Sequence, residues 1–99
     1  MPWNLDNMRV VLAPAWQFSR KLMKVPEIAQ AEIVGLVDKS LTIHGKKMDG
    51  VEIHDYTALR DLKPDVVLVA PPLQHREAIL RSVISNVEAG TRVVVMTCE

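Results

Sequence analysis

The sequence predicts an α/β fold of three layers: a five-stranded, mostly parallel sheet in the order 3-2-1-4-5, with helices on both faces. Three observations predict it. Apolar runs of strand length recur along the chain without polar alternation, as strands buried on both faces require. Stretches with helical spacing of apolar residues lie between them, and strands alternating with helices imply a parallel sheet. Right-handed crossovers then favour that strand order.

Each element follows in turn. Arg9-Val10-Val11-Leu12-Ala13 is the first strand. Residues 15–25 carry Trp16, Leu22, Met23 and Val25 in a helical pattern that Pro26 interrupts. Ile33-Val34-Gly35-Leu36-Val37 is the second strand. Val51-Glu52-Ile53-His54 alternates and reads as a short edge strand. Asp55 can cap a short helix bearing Leu59 and Leu62, with Pro64 just beyond its end. Val66-Val67-Leu68-Val69-Ala70 is the fourth strand. Residues 73–89 form the best helix, with Ile79, Leu80, Val83, Ile84 and Val87 on one face. Pro72 suits its first turn and Gly90 its left-handed end. Val93-Val94-Val95-Met96 is the fifth strand, on the outside of the sheet.

Composition bounds the function. Ninety-nine residues, 48% hydrophobic and 24% charged, make one globular domain over residues 1–99. Twelve Lys+Arg balance twelve Asp+Glu, so neither a nucleic-acid partner nor a membrane surface is expected. No apolar run approaches the ~20 residues of a membrane helix. The N-terminal residues lack the basic-then-apolar pattern of a secretory signal. The single Cys98 cannot make an internal disulfide and has no activating neighbour in sequence. A reduced, cytoplasmic protein is expected.

The predicted strand order reverses between the first and fourth strands, and ligands of such sheets bind in that crevice at the strands' carboxyl ends. Ala13-Pro14-Ala15-Trp16-Gln17-Phe18 and Ala70-Pro71-Pro72-Leu73-Gln74-His75 meet there. Gly35-Leu36-Val37-Asp38, then Gly45 to Ile53, then Asp65 to Pro71 resemble the nucleotide-binding module of polysaccharide-biosynthesis and nucleotide-sugar dehydratase proteins. Pro71 followed by His75, and Glu88-Ala89-Gly90-Thr91-Arg92-Val93, resemble the N-terminal domain of the glucose-fructose oxidoreductase family. The likeness runs over roughly residues 8–97. It implies a Rossmann-type NAD(P)- or nucleotide-binding domain of oxidoreductase or sugar-nucleotide lineage, with NAD(P) or a nucleotide-sugar as ligand.

The glycine loop departs from that pattern. A dinucleotide site uses G-x-G-x-x-G for the turn, the approach to the pyrophosphate and helix–strand packing. Here those positions are Ala13, Ala15 and Phe18, and Pro14 removes one N–H from the loop. Weak or lost nucleotide binding is therefore expected, without independent catalysis. The alternatives are a non-catalytic assembly subunit and an oligomeric NAD(P)-dependent oxidoreductase.

The candidate binding residues are Ala13, Pro14, Ala15, Trp16, Gln17, Phe18, Asp38, Lys39, Pro71 and His75. Asp38 ends the second strand, where an acid bonds the ribose 2′-OH in NAD-binding folds, or it is a solvated carboxylate before a turn. Lys39, Lys46 and Lys47 could attract phosphate or simply face solvent. His75 could orient a ligand or exchange protons. Trp16 and Phe18 either stack on a base or fill the space glycines would leave. His44 and His54 have no metal-ligand spacing, so no metal is expected. The fifth strand has no charge or proline within its run to block pairing. A second copy or another chain is expected to cover it, with Trp3 and Met8 as possible helpers.

Overall fold

The computed structural model describes residues 5–96. Trp3 and Cys98, singled out above, lie outside the described residues. The elements in chain order are β1 (Arg9–Ala13), α1 (Gln17–Leu22), α2 (Pro26–Ala29), β2 (Glu32–Val37), β3 (Lys47–Met48) and β4 (Val51–His54). A 3₁₀ turn (Tyr56–Ala58), α3 (Leu59–Leu62), β5 (Val66–Val69), a second 3₁₀ turn (Leu73–His75), α4 (Arg76–Asn86) and β6 (Arg92–Val95) follow.

The sheet has six strands in the order β3-β4-β2-β1-β5-β6. Its count and order thus differ from the five strands expected, and the difference is β3. Lys47 and Met48 pair antiparallel with Glu52 and Val51. Asp49 and Gly50 connect them with φ of 51° and 84°, the two positive φ values that a tight hairpin loop demands. Val51–His54 is therefore not the sheet's edge over its whole length. The other pairings are parallel: Val10 to Ala13 of β1 lie opposite Val66 to Val69 of β5. Those four residues of β5 in turn face Arg92 to Val95 of β6.

β1 and β5 are buried on both faces because helices cover both. On one side Val10, Leu12, Leu36 and Leu68 pack with Leu22, Met23 and Ile28 from the α1–α2 segment. On the other, Val11, Ala13, Val37, Val67 and Val69 pack with Tyr56, Leu59 and Val83. The period-2 alternation of side chains across a strand sends successive residues to these two cores.

Three helix expectations need correction. The helix over 15–25 shortens to α1, and Pro26 does not merely interrupt it but opens α2 at a first-turn position, where its missing N–H costs nothing. The helix over 73–89 begins as a 3₁₀ turn and is α-helical only over Arg76–Asn86. Within it Val83 is buried and Ile79, Leu80 and Val87 pack against the core, but Ile84 is 63% exposed. At 100° per residue Ile84 lies to the side of the face that Ile79, Leu80, Val83 and Val87 turn to the core. Gly90 has φ 96° but sits in the turn before β6, beyond the helix end. Asp55 does cap the turn leading to α3, accepting from the Thr57 amide at 3.2 Å.

Candidate functional site

β1, β2, β4 and β5 all end on the same side of the sheet, and two clefts open there. The first, of about 280 Å³, is lined by Pro14 and Trp16 after β1, Asp38 and Lys39 after β2, and Tyr56 after β4. Pro72, His75, Ala78, Ile79 and Ser82 of the α4 region complete it. The second, of about 360 Å³, lies beside it against β6, between Trp16, Pro71, Leu73, Arg76, Val95 and Met96. Trp16 and Pro72 line both. The Trp16 indole Nε1–H donates to the Ala70 carbonyl at 2.5 Å, and its ring meets Phe18 edge-on with centroids 6.4 Å apart.

Asp38 organises the loops around the first cleft. One carboxylate oxygen accepts the Ala15 amide at 3.0 Å. The other accepts the Ser40 amide at 2.9 Å. Its own N–H donates to the His54 carbonyl at 2.9 Å, and its carbonyl oxygen meets His44 Nε2 at 2.6 Å. The β1–α1 loop is thus tied to the end of β2 by a charge-assisted bond. The Ala15 amide, which would face a diphosphate in a glycine loop, faces Asp38 instead. The Trp16 amide donates to the Pro14 carbonyl at 3.1 Å. The Pro14 carbonyl also accepts the buried Ser19 hydroxyl.

Of the candidates, Pro14, Trp16, Asp38, Lys39 and His75 come together at the first cleft, and Pro71 lies at the second. Ala13 is wholly buried in β1. Ala15 contributes its amide rather than a surface, Gln17 is exposed at the start of α1, and Phe18 packs against the α1-side core. Lys46 and Lys47 do not line the cleft; Lys47 sits in β3 opposite Glu52. Among the described residues no group of three or more His, Cys, Asp or Glu could hold a metal ion. Among them, too, no helix is long and apolar enough to cross a membrane.

Sequence reasoning missed Tyr56. The residue is 6% exposed. Burial, together with the charges of Asp38 and Asp55, pushes its pKa well above the usual tyrosine value, so the phenol stays protonated. Tyr56 follows β4 at the end of the sheet where the cleft opens.

Comparison with known proteins places the fold. RSP, a Rex-family repressor, superposes with a TM-score of 0.66 at 12% identity, over 95% of this chain and 54% of that one. RSP in complex with β-NADH matches with the same score, identity and coverage. RSP with β-NAD⁺ and operator DNA matches over 95% of this chain and 52% of that one. This chain therefore has a Rossmann-type α/β fold and spans about half the length of these neighbours. No protein-family model matches the sequence, and no curated protein does. One expectation is corrected here: the exclusion of a nucleic-acid partner does not stand, since RSP, a neighbour of the same fold, was solved with operator DNA. Balanced charge over one domain was too narrow a ground for excluding it, because the likeness spans about half of that DNA-bound chain.

Proposed function

We propose that this domain is a nucleotide-binding module that holds the nucleoside end of its ligand in the first cleft, grips the diphosphate weakly, and has no independent catalysis. The observation that carries this reading is Asp38, which ends β2 and lines the cleft together with Lys39 and His75. Each of its oxygens takes one backbone N–H. A carboxylate has about four acceptor sites, so capacity for a ribose hydroxyl remains. Lys39 and His75 supply donors for a phosphate at the rim.

The weak diphosphate grip follows from the loop. Pro14 has no N–H, the Ala15 amide is given to Asp38 and the Trp16 amide to Pro14. Backbone amides that could cradle an anion are thereby engaged elsewhere. NADH and NAD⁺, bound by RSP, are the dinucleotides to try first. A setting on DNA, as RSP has, is compatible with a module of this fold.

Isothermal titration with AMP, NADH, NADP⁺ and UDP-glucose tests the reading. AMP and NADH should bind within about tenfold of each other, since the second phosphate adds few contacts. NADP⁺ should bind less well, because its 2′-phosphate meets the Asp38 carboxylate. NADH binding a hundredfold more tightly than AMP would overturn the weak-diphosphate reading. Absence of binding by all four at millimolar concentration would overturn the function itself.

A further inference from the structure

The Tyr56 hydroxyl has no hydrogen-bond partner among the described residues, although the residue is 94% buried (6% exposed). No side-chain nitrogen or oxygen fully shut off from solvent lacks a partner there. The hydroxyl is therefore not sealed in, and Tyr56 lines the first cleft. Buried phenols usually find a hydrogen-bond partner, in the protein or in ordered water. Of the residues lining the cleft, Tyr56 and Pro14 are buried while Lys39 and His75 are exposed, so this donor is left at the inner end of a ligand-sized opening.

We infer that the Tyr56 hydroxyl reads the base of the bound nucleotide, donating a hydrogen bond to a ring nitrogen or carbonyl oxygen at the inner end of the cleft. This rests on the nucleotide reading above and goes beyond it by naming which part of the ligand lies innermost. Three further observations support it. Pro14, Pro72 and Ile79 give the cleft apolar walls, which suit a planar ring. Burial and, after it, the nearby carboxylates of Asp38 and Asp55 raise the phenol's pKa, and two carboxylates make this end a poor place for a phosphate. Lys39 and His75, on the same cleft, leave the charged end of the ligand a better place. With about 280 Å³ available, the cleft is near the lower bound of ~300 Å³ for small-molecule sites. That suits a base and its sugar rather than a whole dinucleotide. The ligand class is a nucleoside monophosphate, or the nucleoside end of a dinucleotide.

The test uses Tyr56→Phe, which removes one oxygen and keeps the ring. Wild type and variant are titrated with AMP and UMP, and with ribose 5-phosphate, which has the sugar and phosphate but no base. The variant should lose about five- to tenfold in affinity for the nucleotide that wild type prefers. Its affinity for ribose 5-phosphate should not change. Its Tm should equal or exceed that of wild type, because no protein partner is lost. Equal nucleotide affinity in the two proteins would overturn the inference and leave the nucleotide reading standing. A loss shared equally by ribose 5-phosphate, or a lowered Tm, would also overturn it by showing a structural role. Failure of wild type to bind any nucleotide would remove both.

Discussion

At the scale of single residues, Asp38 carries two separable roles, because its carboxylate bonds two backbone amides on different loops. Asp38→Asn has only one acceptor oxygen, so it should lose one of these bonds and about 1 kcal/mol. Asp38→Ala should lose both and about 2 kcal/mol. Urea denaturation measures this, and equal stability of the two variants would contradict the cross-link. Tyr56 makes a second prediction. Its folded pKa is raised above the unfolded value near 10, so the folded state holds its proton more tightly. That contribution is fully present below pH ~10 and is lost as pH climbs from there toward the folded pKa. Wild type should therefore lose stability in that alkaline range, and Tyr56→Phe should flatten the loss in a pH series of thermal melts.

At the scale of elements, close packing decides what β2 tolerates. A Cβ on Gly35 would stand 3.2 Å from both the His54 ring and the Leu62 side chain. Gly35→Ala should cost about 1–3 kcal/mol by overpacking, and a neutral result would show that α3 can shift away from β2. α3 itself ends on Lys63 at φ 48°, a left-handed conformation that a side chain resists. Lys63→Gly should therefore stabilise the domain by about 0.5–1 kcal/mol, read as a raised urea midpoint. The β3–β4 hairpin shows what pattern reading overlooks. Asp49-Gly50 is a strong two-residue hairpin signal, yet β3 is only two residues long. So short a segment carries no hydrophobic periodicity, and only its pairing with Val51 and Glu52 makes it a strand.

At the scale of the whole molecule, a ligand that binds only the folded state must raise stability. At one hundred times its Kd the gain is about 2.7 kcal/mol, which in a domain of this size means a Tm higher by about 10 °C or more. Thermal melts with excess AMP check this, and an unmoved Tm would contradict the proposed function. The same scale explains what was legible beforehand. Buried parallel strands announced themselves as unbroken Val- and Leu-rich runs, because both of their faces meet core. The amphipathic pattern of residues 73–89 showed a helix, but not that Ile84 would be left exposed at the side of its buried face. The placing of Asp38 and His75 at the cleft was legible because the end of the sheet where it opens follows from strand order alone. Tyr56 was not, since a lone tyrosine after a capping Asp55 reads equally well as core.

The sequence by itself determined the alternation of strand and helix, the ligand-facing end of the sheet and the absence of glycines from the first loop, because these depend on local pattern and chain direction. Only the tertiary structure decided where the loop's amides point, that Trp16 and Pro72 line two neighbouring clefts, and that the Tyr56 hydroxyl has no hydrogen-bond partner among the described residues. Each of these depends on which distant segments are brought within hydrogen-bonding distance, about 3 Å, and a linear pattern carries no such information.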